Sequence, residues 1–252
     1  MSGHSKWSTI KRKKGAADAK RGAVFTKLGR ELTLAAREGG GDPSANFRLR
    51  LVIDKCRQAN MPKDNIERAI KRGTGELKGA ALEEVTYEGY GPGGIALLIQ
   101  VLTDSRNRAV ADVRRVLTRM GGSLGATGCV AWLFDRKGYI IVEPGDTDPE
   151  ELALLGIDLG AEDVKADADI VEVVTAVEDF QTIREALSGE DLNLVTEELS
   201  WIPKSSAQVQ EQDALKAMNL IDALEELDDV QRVHSNLDIP DELLERYAEQ
   251  AA

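Results

Sequence analysis

Apolar residues recur at helical spacing from about Ala16 to Glu38. Val24, Phe25, Leu28, Leu32, Ala35 and Ala36 fall on one arc, while Lys20, Lys27, Arg30 and Arg37 point away from it. The pattern predicts an amphipathic helix that the Gly39-Gly40-Gly41 run ends. Asp42-Pro43 predicts the start of a second helix, with Asp as N-cap and Pro at the first helical position. Leu49, Val52, Ile53 and Cys56 would share the apolar side of that helix. A third helix follows Pro62, carries Ile66, Ala69 and Ile70, and stops at Gly73. Three short helices with complementary apolar faces make a small bundle, and the polar, glycine-bearing stretch Gly73 to Ala80 reads as a linker.

The period changes at Leu82. LEEVTYEGY and IALLIQVLT are strand-like runs joined by Gly91–Gly94, which predicts a hairpin. Asp104 or Ser105 then caps a helix running to about Met120, closed by Gly121-Gly122. VAWLFD and YIIVE flank Arg136-Lys137-Gly138 and predict a second hairpin. Next come a strand at 138–143, a helix near 148–157 and strands near 162–166 and 170–175, then a helix at 179–188 and a strand at 193–202. That succession is βαββαβ, the ferredoxin-like split pattern. A helix at 211–228 and a strand at 230–236 lie beyond it, and the economical arrangement returns them to the sheet begun at 82–135. The expected fold class is therefore α+β in three domains: a helical bundle, a discontinuous α/β domain and an inserted ferredoxin-like domain. The expected boundaries are 1–80 for the bundle with an N-terminal arm, 81–137 with 203–240 for the discontinuous domain, 138–202 for the insertion and 241–252 for a tail.

Composition adds little until it is divided. The 252 residues are 42% apolar and 30% charged, ordinary globular usage with room for two or three domains. No apolar run approaches the roughly 20 residues of a membrane helix. The basic start, MSGHSKWSTIKRKKG, lacks the apolar stretch of a secretory signal. Two cysteines and two histidines without paired spacing predict neither a disulfide framework nor a protein zinc site, so no cofactor is expected and the default compartment is a reducing cytoplasm.

The net charge of −12 conceals a partition. Residues 1–80 hold 19 Lys and Arg against 8 Asp and Glu, a net of +11, whereas residues 140–252 hold 6 against 30, a net of −24. Such asymmetry points to nucleic-acid binding by the basic end, and to a solvated acidic surface elsewhere. The candidate binding residues are His4, Lys6, Trp7, Lys11, Arg12, Lys13, Lys14, Lys20, Arg21, Lys27 and Arg30. Trp7 could stack on a base or anchor the arm to the bundle. Aromatic residues are scarce in this segment, so recognition should run through backbone and shape rather than through stacked bases.

Other patterns read as structure. Arg108, Arg115 and Arg119 share a helix face with Asp112, and salt bridging between Arg108 and Asp112 is the expected use of that stripe. Gly121-Gly122-Ser123-Leu124-Gly125 matches the GxSxG string of hydrolases, but a helix precedes and a strand follows, the reverse of the order that the nucleophile turn needs. The glycines at 39–41 and 89–94 belong to neither a P-loop nor a dinucleotide fingerprint. Gly91–Gly94 could form an anion nest, although a hairpin turn also accounts for them.

GHSKW at 3–7, DAKRG at 18–22, FTKL at 25–28, GGGDP at 39–43, YEGYGPGG at 87–94, the region NRAVADVR at 107–114 and GAEDV at 160–164 together resemble the YebC family over essentially the whole chain. The resemblance implies a helical N-terminal domain and two α/β domains, one inserted in the other. It also implies a cytoplasmic, DNA-binding regulator of transcription. Mitochondrial relatives that activate translation, and bacterial members linked to the ribosome, imply an alternative, a ribosome-associated factor binding rRNA. Ala23 stands where many relatives carry a further lysine, which removes one cation from the patch. The expected protein is a non-enzymatic monomer with a nucleic-acid partner, no membrane association and no small-molecule substrate.

Overall fold

The computed structural model describes residue 7 and residues 18–79, 81–189, 192–240 and 243–244, with the backbone alone for 18–21. It is an α+β structure whose chain divides into two compact units, residues 15–129 with 216–233, and residues 1–14 with 130–215 and 234–252.

The first of these units opens with helices α1 (Asp18–Gly39), α2 (Phe47–Gln58) and α3 (Lys63–Gly73). Their apolar faces meet where expected: Leu32, Ala35 and Ala36 of α1 pack with Leu49, Val52, Ile53 and Cys56 of α2 and with Ile66 and Ala69 of α3. Val24, placed on the apolar arc by periodicity, is 42% exposed. The second helix begins four residues later than Asp42-Pro43 suggested, with Asn46 as its N-cap. The Asp42 carboxylate accepts instead from the Ser44 amide and hydroxyl, which closes a turn and holds Asp42 below the usual carboxylate range. Asn46 suits the cap because it is buried and does two tasks. Its side-chain oxygen accepts from the Leu49 amide at 3.0 Å, and its Nδ2 donates to Ala35 O and Gly40 O, both at 2.8 Å. One side chain thereby ends α1 and starts α2.

Strands β1 (Glu83–Tyr90) and β2 (Ala96–Thr103) form the expected hairpin, in register from Glu83 opposite Thr103 to Tyr90 opposite Ala96. Gly93 and Gly94 adopt φ of +73° and +77°, the left-handed region that only glycine enters without cost. The turn also consumes backbone groups that an anion nest would need, since the Gly94 amide donates to Gly91 O and the Gly91 amide to Ile95 O. Helix α4 (Arg106–Arg119) follows, then the short strand β3 (Ser123–Leu124) on the outer side of β1. Strand β8 (Val230–Ser235), after helix α7 (Glu211–Glu225), completes the order β3-β1-β2-β8. The last strand thus returns to the sheet that the hairpin began.

The other unit holds β4 (Phe134–Glu143), α5 (Pro149–Asp158), β5 (Asp163–Ala166), β6 (Val171–Thr175), α6 (Phe180–Gly189) and β7 (Asn193–Pro203). Its sheet order is β5-β6-β4-β7, with every neighbouring pair antiparallel. Read from the first strand of the unit, this is the 4-1-3-2 order of a ferredoxin-like βαββαβ fold.

One expectation fails here. Arg136-Lys137-Gly138 is not a hairpin turn, because residues 134–143 form one continuous strand paired along its length with β7. Gly138 serves a close approach instead: a β-carbon there would fall 2.2 Å from Thr175 Oγ1 and 2.6 Å from Phe180 Cδ2. A glycine after two charged residues carries the same local signal in both cases, and only the packing of α6 over the strand distinguishes them. Gly138→Ala is therefore expected to destabilise the protein by about 2–3 kcal/mol through overpacking, read as a lower urea midpoint at unchanged slope. A change below about 0.5 kcal/mol, the usual size for a surface site, would show that Thr175 and Phe180 yield freely.

Candidate nucleic-acid interface

Of the candidate binding residues, His4, Lys6, Lys11, Arg12, Lys13 and Lys14 lie outside the described residues. Lys20 and Arg21 lie on the first turn of α1, with side chains outside the description. Trp7 is 5% exposed. A ring that buried offers no face to a base.

Lys27 and Arg30 sit differently from what their polarity suggested. With Leu34 they occupy a second stripe of α1, at i, i+3 and i+7, and Leu34 is 2% exposed. The Lys27 ammonium donates to Glu225 O, and Arg30 Nη1 donates to Asp228 O at 2.5 Å and to Asp229 Oδ1 at 2.7 Å. Cations are favoured at the carbonyl-rich end of a helix, and Glu225 is the last residue of α7.

Asp229 is the centre of this contact. Its side chain is 10% exposed and accepts from four donors. These are Arg30, the Thr103 hydroxyl at 2.9 Å, Arg108 Nη2 at 2.8 Å and Arg108 Nε at 3.2 Å. The Leu102 amide donates to Asp229 O at 2.8 Å, which ties the same residue to β2. Arg108 also pairs with Asp104 at 2.7 Å, and it holds that carboxyl below its ordinary range. The expected Arg108–Asp112 bridge is replaced: Asp112 pairs with Arg115 at 2.9 Å. Arg108 points to the N-terminal end of α4, where the buried Asp229 is a stronger partner than a solvated one.

The described helical bundle retains cations that face water. Between residues 22 and 79, Arg48, Arg50, Lys55, Arg57 and Lys63 each have a carboxylate or carbonyl partner, as do Lys27 and Arg30. Arg37, Arg68, Lys71, Arg72 and Lys78 are exposed and have none among the described residues. Periodicity could have found Arg68, Lys71 and Arg72, which lie opposite Ile66 and Ala69. Their lack of partners could not be read from it.

Groups that might have suggested catalysis lie in structural settings. Ser123 is exposed on β3, after the turn in which Gly121 has φ of +81° and the Gly122 amide donates to Leu117 O at 2.8 Å. Cys56 is fully buried in the helical core, where burial pushes its thiol up to about 12. His234 is buried with Nδ1 3.5 Å from Ser200 Oγ. Among the described residues no cluster of three or more His, Cys, Asp or Glu could hold a metal ion, and no helix is long and apolar enough to cross a membrane.

The fold and these contacts define a class: α+β proteins in which a cation-rich helical bundle precedes a split sheet and a ferredoxin-like unit. The chain belongs to the TACO1/YebC family. The model of the family's N-terminal domain matches residues 5–76, and that of its second and third domains matches residues 82–237. The chain is 50% identical to a probable transcriptional regulatory protein of Natranaerobius thermophilus, over 97% of this chain and 99% of the relative. It is 51% identical to one from Pelotomaculum thermopropionicum, over 96% and 100%. Among solved structures, a conserved hypothetical protein from Aquifex aeolicus superposes with a TM-score of 0.82 at 47% identity, covering 89% of this chain and 93% of that one.

Proposed function

We propose that this protein is a non-enzymatic, DNA-binding regulator of transcription that acts in the cytoplasm and docks its basic N-terminal segment on phosphates. The observation that carries this reading is the charge partition, +11 over residues 1–80 against −24 over residues 140–252. Each phosphate neutralised by a lysine or arginine releases condensed counterions, so a segment this basic binds polyanions without needing base contacts. The acidic remainder repels the same polyanion within about one Debye length, roughly 10 Å at 0.1 M salt, and so suppresses non-specific binding. The full-length relatives named probable transcriptional regulatory proteins support the choice of transcription.

The test compares promoter enrichment of the cross-linked protein with its sedimentation alongside ribosomes in the same cells. Enrichment at a defined set of promoters is expected. Sedimentation with ribosomal particles and no promoter enrichment would overturn the transcription reading in favour of a translation factor.

Ser123→Ala is expected to leave DNA binding unchanged and to abolish no hydrolytic activity on esters or peptides. The Ser123 hydroxyl makes no hydrogen bond to a described residue that could activate it. Ester hydrolysis by the wild-type protein that disappears in this variant would restore an enzymatic reading.

A further inference from the structure

Two features distinguish the five cations of the helical bundle that have no partner among the described residues: their position and the scarcity of free acids beside them. Arg68, Lys71 and Arg72 lie at i, i+3 and i+4 on the outer face of α3, opposite the buried Ile66 and Ala69. Gly73 brings the end of that helix against the last turn of α1. A β-carbon at Gly73 would meet Thr33 O at 2.3 Å, Ala36 Cβ at 2.7 Å and Arg37 N at 3.1 Å. Arg37 therefore stands beside the same helix end. The following loop turns back over it, since the Leu77 amide donates to Lys71 O at 3.0 Å and a β-carbon at Gly79 would lie 3.6 Å from Arg72 Cγ. That return places Lys78 next to Arg72.

Most acids nearby are already engaged, and Asp64, one turn before Arg68, makes no ion pair with it. Glu67 pairs with Lys63 at 3.5 Å, Glu38 pairs with Arg48 at 2.6 Å, and Glu76 accepts from the Thr74 hydroxyl at 3.0 Å. Elsewhere on the described bundle the cations are matched to carboxylates or carbonyls, and at this end they are not. Lys71 and Arg72 also face the partial negative charge of the α3 C-terminus, but Arg68, a turn earlier, and Lys78, beyond the helix, lie outside that field.

We infer that the outer face of α3, flanked by Arg37 and Lys78, is a docking surface for the phosphodiester backbone of a nucleic-acid duplex. The inference rests on the nucleic-acid reading above and adds to it a second contact region on a rigid helix, separate from the N-terminal arm. A rigid row of cations fixes the orientation of the bundle on the backbone. No aromatic side chain accompanies the row, so it reads backbone and shape rather than bases.

The test uses the full-length protein and two blunt duplexes of equal length, one DNA and one RNA, titrated from 50 to 200 mM salt. The variant Arg68→Gln, Lys71→Gln, Arg72→Gln removes three charges and keeps good helix formers. Losing three phosphate contacts should flatten the log–log salt slope by about 2.7, so that wild-type affinity falls about 40-fold more than variant affinity across that range. A companion variant, Arg68→Lys with Arg72→Lys, keeps the charges and should keep the wild-type slope, which separates charge from packing. The duplex on which the slope flattens identifies the source of the phosphates. A wild-type slope in the triple variant on both duplexes would overturn this inference and leave the function reading standing. A wild-type protein with no salt dependence on either duplex would overturn both.

Discussion

Asp229→Ala is expected to lower the stability of the protein by about 3 kcal/mol, within the range for removing one partner of a buried ion pair. The carboxylate is 10% exposed and accepts from Arg30, Arg108 and Thr103 together. Removing it leaves the Thr103 hydroxyl, on a fully buried residue, without that acceptor, and leaves the Arg30 guanidinium, 22% exposed, beside an apolar methyl. It also removes one of the two bonds by which Arg30 ties α1 to residues 228–229, ahead of β8. Urea denaturation should show the loss as a lower midpoint, and amide exchange should show faster opening of α1 about Arg30. Asp229→Asn should fall between the two, because an amide oxygen still accepts from one donor but carries no charge. A stability change under about 0.5 kcal/mol in the alanine variant would show that Arg30 and Arg108 find other partners at no cost.

Reversing the arm charges, with Lys11, Lys13 and Lys14 all changed to Glu, should weaken duplex binding by at least about 100-fold at low salt. Three phosphate contacts are lost and three repulsions replace them in an interface whose affinity is mostly counterion release. The melting temperature should stay within about 2 °C, because these lysines belong to a run without apolar periodicity and surface substitutions seldom cost more than ~0.5 kcal/mol. Arg115→Glu with Arg119→Glu serves as the comparison and should do less, since Arg115 already pairs with Asp112. If the α4 pair proves the more damaging, the principal interface lies on that helix and the arm is secondary. Lys27 is left out of the reversal deliberately. Its bond to Glu225 O would confound a loss of binding with a loss of structure.

Helix and strand identities were legible in the chain because each depends on local spacing. The 3.6-residue recurrence of Leu32, Ala35 and Ala36 and the alternation through β1 need no knowledge of distant residues. The glycines at 93, 94 and 121 announced their turns through backbone conformations that other residues resist. The order of elements was enough to suggest the ferredoxin-like unit and the return of the last strand, because connection rules leave few alternatives. The partition of charge was likewise a property of the sequence alone, and with it the nucleic-acid reading.

What only the tertiary structure decided depends on groups far apart in sequence. Gly138 resembles a turn residue until Phe180 and Thr175 arrive against it. Asp42 resembles an N-cap until Ser44 captures its carboxylate and the buried Asn46 takes over the helix start. Lys27 and Arg30 resemble members of a phosphate-binding face, yet they bond to residues some 198 positions away in the chain. The same holds in reverse for Arg68, Lys71 and Arg72, which the pattern marks as surface and the ion-pair network leaves unmatched. A cation's partner is set by which opposite charge lies within about 4 Å after folding, and local spacing carries no record of that distance.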